Sequence, residues 1–255
     1  MKTAIFIPAR VQSSRLPKKL LLIIKGKTVI EHLIDRTKAT KVPDIVVLCT
    51  TKRKEDDILV DIAKKNSIKY FRGLERDILS RHLGAATKYN IEFIVNVDSD
   101  DIFCDPEYMD KTINAFLKDR PDVIKWEGLP FGTAPLGIKV NALKKVCELK
   151  TENDTETGWG RYLTEGKMFD VKIIQANDDV RYPNIRISLD YPEDYAFFKK
   201  IFDGLYKPGK VITLKEIIIF IKNNPKIMDI NKNVQEKYWK RFEKLSVDIK
   251  FREST

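Results

Sequence analysis

Ala4-Ile5-Phe6-Ile7-Pro8-Ala9-Arg10-Val11-Gln12-Ser13-Ser14-Arg15-Leu16-Pro17-Lys18-Lys19-Leu20 joins a short apolar run, cut at Pro8, to a polar loop and a Pro-Lys-Lys step. An unbroken apolar run of this length reads as a buried strand, here residues 3–8. Residues 1–30 hold seven Lys or Arg side chains (Lys2, Arg10, Arg15, Lys18, Lys19, Lys25, Lys27) and no acid. A buried strand feeding such a loop suits an anion, because backbone N–H groups, hydroxyls and cations converge where the strand ends. A solvated basic face after an edge strand is the alternative. The loop lacks the glycines of a Walker P-loop or a dinucleotide fingerprint.

Outward from that stretch, strand and helix patterns alternate. Residues 28–36 have helical spacing, and 44–50 form a second continuous apolar strand of the kind found in covered parallel sheets. A helix is expected to about residue 66, a strand at 68–71 ended by Arg72-Gly73, a helix over 77–89 and a strand over 92–97. This alternation argues for a βαβ sheet with right-handed crossovers. Ligands of such sheets sit beyond the carboxyl ends of the strands. Three strand ends carry Arg10/Arg15, Thr50/Thr51 and Asp98/Asp100, so phosphate-binding and metal-binding residue types share one edge. Asp105-Pro106 reads as an N-cap and first helical residue. Strands are expected at 123–126, 137–140, 170–175 and 184–189, with a helix from Ala142 and another from Pro192 to Gly204. Residues 151–160 read as a surface loop or lid. Thr213 to Glu216 is a capping box before an apolar helix. The last helix, 234–245, sets Tyr238, Trp239 and Phe242 on one side. A weak boundary near Lys207-Pro208-Gly209 divides residues 1–205, an α/β domain, from 206–255, a helical extension expected on the core or at a dimer interface.

The chain has 255 residues, a net charge of +10 and three widely spaced cysteines, Cys49, Cys104 and Cys147. The charge points to anionic partners: nucleic acid, a nucleotide or a phosphorylated metabolite. Without a CxxC or Cys/His cluster the thiols are expected to be reduced and the protein cytoplasmic. No apolar run is long enough to span a bilayer, and the amino terminus lacks a signal-peptide pattern.

Arg10…Arg15-Leu16-Pro17-Lys18-Lys19-Leu20 resembles the amino-terminal signature of the cytidylyltransferases that make CMP-activated sugar acids, the spore coat polysaccharide SpsF type above all, with the CMP-Kdo synthetases and acylneuraminate cytidylyltransferases. Three further segments are similar in order: Phe71-Arg72-Gly73 with Asp77-Ile78-Leu79-Ser80-Arg81, then Asp100 to Pro106, and Arg186-Ile187-Ser188-Leu189-Asp190-Tyr191-Pro192-Glu193-Asp194. The resemblance covers about residues 3–203. Gln12 replaces the usual loop glycine, Asp98-Ser99-Asp100 the usual Gly-Asp, and Ile102 a proline. Residues 157–162 depart from the family where the acceptor is expected to be chosen, so nucleotidyl transfer follows more firmly than any particular sugar acid.

The resemblance implies a three-layer α/β/α fold with a mainly parallel, Rossmann-like sheet, the A-type glycosyltransferase-like fold of nucleotide-diphospho-sugar transferases. It implies transfer of CMP from CTP to an anionic acceptor, with Mg²⁺ as cofactor and pyrophosphate released. Ala9, Arg10, Ser13, Ser14, Arg15 and Lys19 are then assigned to the nucleotide, Arg15 foremost because a guanidinium bridges two phosphate oxygens. Arg15, Lys19 and Asp100 are the catalytic candidates. Asp100 and Asp190 are the implied metal ligands, with Asp98 next in line on the nucleotide side and a helix N-cap the alternative for Asp190. Thr50 and Thr51 would line the base pocket. Arg72, Arg81 and Arg186 would orient nucleotide or acceptor, or serve as ion-pair partners. Trp159, Arg161 and Tyr162 would form an acceptor lid, or core. His32 and His82 read as structural. Relatives of this kind are often dimers, so a homodimer is an expectation. An A-type glycosyltransferase remains an alternative, because Asp98-Ser99-Asp100 mimics its DxD motif; so does a nucleotidyltransferase using another NTP. No nucleic-acid-binding module is recognisable.

Overall fold

The computed structural model describes residues 1–246 and 249–252. In chain order, β1 (Thr3–Pro8) leads through the basic loop to a small hairpin, β2 (Ile23–Ile24) and β3 (Lys27–Thr28), and to α1 (Val29–Lys38). Next come β4 (Ile45–Thr51), α2 (Asp57–Lys65), β5 (Lys69–Gly73), α3 (Ile78–Tyr89) and β6 (Phe93–Asn96). Then follow α4 (Pro106–Asp119), β7 (Val123–Glu127), β8 (Leu136–Lys139), α5 (Val140–Leu149), the short α6 (Arg161–Thr164) and β9 (Val171–Gln175). The later helices are α7 (Pro192–Leu205), α8 (Leu214–Asn223) and α9 (Val234–Leu245).

Seven strands form one sheet in the order β5-β4-β1-β6-β8-β7-β9. β1 pairs in parallel with β4 and β6, and β4 with β5. β8 runs antiparallel to both neighbours, β6 and β7, and β9 is parallel to β7. Every residue of β1 is buried. Its side chains alternate between two cores: Ile5 and Ile7 pack with α1 and α7 residues, Ala4 and Phe6 with α3 and α5 residues. That period-two division is what a sheet covered on both faces requires, and it makes the architecture three-layered. The chain winds from β1 outward to β5, then returns to the other side of β1 as β6. The loops after β1 and β6 therefore diverge at a topological switch point, the place where open α/β sheets bind ligands.

Two local readings need correction. Arg72 and Gly73 continue strand β5 rather than end it. Residues 184–189 are not a regular strand; the segment makes one parallel bridge, Phe131 with Arg186. Phe131 N–H donates to the Ile185 carbonyl at 2.8 Å and Ile187 N–H to the Phe131 carbonyl at 2.7 Å. The alternation is real, since Ile187 and Leu189 are buried, but the chain turns away at Gly132 (φ +89°) before a ladder can extend. Of the expected extension, residues 247–248 and 253–255 lie outside the described residues. Within it, α8 buries Leu214, Ile217, Ile218 and Ile221, Phe251 packs against the α3–α5 core, and Val234 is the buried residue of α9. The buried Arg36 guanidinium donates to the carbonyls of Phe103 (3.2 Å), Cys104 (2.9 Å) and Ile212 (2.5 Å). Among the described residues no helix is long and apolar enough to cross a membrane.

Candidate active site

The basic loop is fixed at both ends. Ala9 N–H donates to the Cys49 carbonyl at 3.1 Å, which ties the end of β1 to β4. Val11 N–H donates to Asp56 Oδ1 at 2.7 Å, and the Thr51 hydroxyl donates to the same carboxylate. Arg10 pairs with Glu156 at 2.6 Å. Leu16 and Leu20 are buried anchors. Between them Lys18 adopts left-handed backbone (φ 53°) and a single 3-10 turn follows, Lys19–Leu21. That bend sends Lys19 inward, where it is only 9% exposed although its neighbour Lys18 is solvent-facing. Gln12 is exposed.

Lys19 Nζ donates to Asp100 Oδ2 at 2.6 Å, to Asp190 Oδ1 at 3.1 Å and to the Leu189 carbonyl at 2.9 Å. Arg15 pairs with the same Asp190 oxygen. Arg186 donates to Asp190 Oδ2 at 2.6 Å and to Asp194 Oδ1 at 3.2 Å. Leu189 N–H donates to the Asp100 carbonyl at 3.0 Å, joining the two acid-bearing segments. Residues 15, 19, 100, 186 and 190 thus meet in one alternating charge cluster at the switch point. Asp190 is not the helix cap: the N-cap is Tyr191, and Asp194 Oδ2 accepts from the N–H groups of Asp190 and Tyr191 at 3.0 Å each.

The electrostatics follow from burial. Burial opposes the charge on Asp190, but Lys19, Arg15 and Arg186 outweigh it and hold the carboxyl down at about 2. Burial likewise opposes the Lys19 ammonium, yet Asp100 and Asp190 raise its pKa above the usual lysine value. Asp98 goes the other way: burial and the Asp100 charge push it up to about 6. Burial, Asp100 and Asp98 push Asp101 up as well. Asn96 Nδ2 donates to Asp98 Oδ1 at 3.0 Å, and Asn96 Oδ1 lies 2.8 Å from His82 Nε2. His82 is buried and serves this scaffold; His32 is buried on the Ile24 carbonyl at 2.8 Å.

The remaining candidates are dispersed. Thr50 is wholly buried at the end of β4, and Thr50 Oγ1 and Arg81 Nε are buried without a hydrogen-bond partner among the described residues. Such orphaned groups are rare in a finished core. Arg81 otherwise donates to the carbonyls of Leu74 and Glu75 at 2.9 and 3.1 Å. Arg72 lies apart, engaged with the carbonyls of Thr51 and Arg53 and with Asp57. Ser13 Oγ accepts from Leu16 N–H at 3.4 Å, and Ser14 Oγ from Arg241 at 3.1 Å. Trp159 and Tyr162 are buried in the α3–α5 core rather than standing over the cleft, and Arg161 pairs with Glu165 at 2.9 Å. Asp56, Glu156 and Asp194 support the site, although the sequence assigns none of them a role and carries Asp194 only as the last residue of a family-like segment. For Asp194 the signal was present, since Pro192-Glu193-Asp194 places an acid at the third position of a helix. For Asp56, in the run Glu55-Asp56-Asp57, there was none.

The donor set fits a divalent cation. Asp100 Oδ2 and Asp190 Oδ1 already converge on one positive atom, Lys19 Nζ, and both are hard oxygen donors of the type Mg²⁺ takes. Among the described residues no group of three or more His, Cys, Asp or Glu side chains is arranged to hold a metal by itself. One or two carboxylates completed by substrate phosphates and water is how such an ion usually sits in phosphoryl-transfer enzymes.

Cations and acids alternating across the switch point of an α/β/α sheet are suited to gripping a nucleoside triphosphate by its phosphates, and the class so defined is nucleotidyltransferase. Residues 4–182 match the cytidylyltransferase family, and the chain belongs to it. It is a CTP-dependent nucleotidyltransferase that transfers CMP, which decides against the glycosyltransferase alternative. The chain is 28% identical over 247 residues to an uncharacterized protein of Methanocaldococcus jannaschii, covering 95% of this chain and all of that one. It is 26% identical over 227 residues to the spore coat polysaccharide biosynthesis protein SpsF of Bacillus subtilis, covering 86% and 93% of the two chains. A cytidylyltransferase structure from Leptospira borgpetersenii superposes with a TM-score of 0.83 at 28% identity, covering 89% of this chain and 97% of that one.

Proposed function

We propose that the enzyme is Mg²⁺-dependent, works in the cytoplasm, and transfers CMP to an anionic small-molecule acceptor: a sugar acid, a phosphorylated small molecule or a phosphonate. Its similarity to SpsF supports a place in surface polysaccharide or glycoconjugate synthesis. The observation that carries the reading is the junction of Arg15, Lys19, Asp100 and Asp190. Arg15 and Lys19 take the triphosphate oxygens, with Arg10, Ser13, Ser14 and the loop N–H groups beside them. Asp100 and Asp190 would hold Mg²⁺, which would supply positive charge to offset that of the phosphates. An acceptor oxygen attacks the α-phosphorus, and the bond to the bridging oxygen breaks. Its electron pair leaves with pyrophosphate, and the loop cations absorb the developing charge. An ionised carboxylate, phosphate or phosphonate oxygen needs no base. A hydroxyl acceptor would pass its proton to Asp98, the carboxylate beside Asp100 that is held by Asn96. Thr50 and Arg81, with their unspent polar atoms, are the candidates for the base pocket.

Thermal-shift titration with CTP, UTP, ATP and GTP, each with and without Mg²⁺, tests the donor. Pyrophosphate release with a panel of anionic acceptors tests the reaction. CTP alone should give a large, Mg²⁺-dependent shift, abolished in Asp100→Asn. Equal shifts for all four nucleotides would overturn the assignment of donor.

A further inference from the structure

Helix α9 lies beyond the stretch that matches the family, which ends at residue 182, yet it reaches the charge cluster directly. Its Tyr238, Trp239 and Phe242 rings contact one another, with centroids 5.3 to 6.2 Å apart. Tyr238 and Trp239 both meet Phe131 edge-on, at 5.2 and 5.7 Å. This stripe does more than seal a core. The guanidinium carbon of Arg186 lies 4.7 Å from the Tyr238 centroid, and that of Arg15 lies 5.6 Å from the same ring. Phe131 takes Arg186 as well, at 5.1 Å. The two arginines that flank Asp190 therefore share the Tyr238 ring of α9, and Arg15 also lies over Tyr191, at 5.5 Å.

Polar contacts from the same segment land on the same centre. Arg241 donates to Ser14 Oγ in the basic loop at 3.1 Å, and Arg186 donates to Gln235 Oε1 at 3.3 Å. Asn231 Nδ2 donates to Asp194 Oδ1 at 3.0 Å. A helix that only covered apolar surface would have no reason to meet Arg15, Ser14 and Arg186, and Asn231, in the segment leading into it, adds the contact with Asp194. A planar guanidinium gains most when its plane is fixed before the anion arrives, because less rotational freedom is lost on binding.

We infer that α9 is a wall of the active site and that Tyr238 is a positioning residue, whose ring fixes the guanidinium planes of Arg15 and Arg186 for the triphosphate. The inference rests on the reading of Arg15 as a triphosphate ligand. Trp239, one residue on, contacts Phe131 and Tyr238 but stacks on neither arginine, so the helix carries its own control.

Isothermal titration of the full chain with Mg²⁺–CTP, and separately with Mg²⁺–pyrophosphate, tests this in the wild type, Tyr238→Phe, Tyr238→Leu and Trp239→Leu. Tyr238→Leu should weaken both ligands about tenfold, as loss of a cation–ring contact with preorganisation implies. Tyr238→Phe should stay within twofold of wild type, and Trp239→Leu within about threefold. If Tyr238→Leu melts early, Tyr238→Met, whose longer, flexible side chain fills the ring's place more adaptably, replaces it. Wild-type affinity in Tyr238→Leu, equal losses in Tyr238→Leu and Trp239→Leu, or a Tyr238→Phe loss as large as that of leucine would each overturn the inference. Wild-type protein that binds pyrophosphate but not CTP would defeat the donor assignment alone, and the pyrophosphate arm would still decide Tyr238. Wild-type protein that binds neither would defeat both.

Discussion

Lys19 is the residue on which two acids depend. It is 9% exposed and spends its ammonium on Asp100, Asp190 and a carbonyl. Removing one partner of a buried ionic group costs far more than the pair is worth, because the other charges stay behind. Lys19→Met should therefore lose about 3 kcal/mol of stability in urea denaturation, and adding Asp100→Asn should recover part of it. Activity should fall at least a hundredfold in both variants, measured as pyrophosphate release. His82 gives a pH signature. Burial holds its imidazole at about 4 against an ordinary 6.5, so the unfolded chain binds the proton more readily between those values. Stability contributed by the neutral ring is complete above 6.5 and is lost as pH falls towards 4, by roughly 3 kcal/mol at the low end. The difference in unfolding free energy between the wild type and His82→Gln, measured from pH 4 to 7, should show this slope, because the raised carboxyls of Asp98 and Asp101 act in the opposite sense in both proteins and cancel in the difference.

At the level of elements, the segment 184–190 makes its one β-bridge among the described residues through Phe131, and Gly132 makes that possible. A Cβ at Gly132 would lie 2.6 Å from the Ile187 carbonyl oxygen and 2.7 Å from Ser188 N. Gly26 has a similar positive φ, +82°, but nothing within 4 Å of such a Cβ. Both alanine variants pay about 1 kcal/mol for left-handed backbone. Gly132→Ala should lose at least 2 kcal/mol beyond that, together with CTP affinity, because the obstacle is backbone next to Asp190. Melting curves and CTP titrations of the two variants check the contrast. These elements also mark how far the sequence could be read. The core strands are legible because continuous apolar runs leave few alternatives, and the capping box at Thr213–Glu216 states its helix start outright. In the 184–189 segment the structure departs from the pattern because alternation reports burial, not the presence of a partner strand. The contact of Arg15 with Asp190, 175 residues apart, has no local signature; only resemblance to a family put both residues in one site. The aromatic side of α9 was visible as a pattern, but its target was not.

Taken whole, the proposed donor site joins parts from the first twenty residues, the middle and the last third of the chain, which meet in one charge cluster. Ligand binding should therefore stabilise the fold globally. CTP with Mg²⁺ at a hundred times its Kd should add about 2.7 kcal/mol, or roughly 5–10 °C in melting temperature for a chain of this size. A calorimetric scan should show that rise in the main transition, and its absence would mean that the site forms without engaging the rest of the protein. Arg36 adds a practical corollary for anyone recombining relatives. Its guanidinium fastens the loop that carries Asp100 to the chain at Ile212, so a chimera spliced at the weak boundary near residue 207 exchanges one end of that fastening and keeps the other. Crossovers placed there should disturb the acids in the donor's cleft even when both parents are active, whereas a crossover that transfers Arg36, residues 100–105 and everything from Ile212 onward as one block should leave them in place.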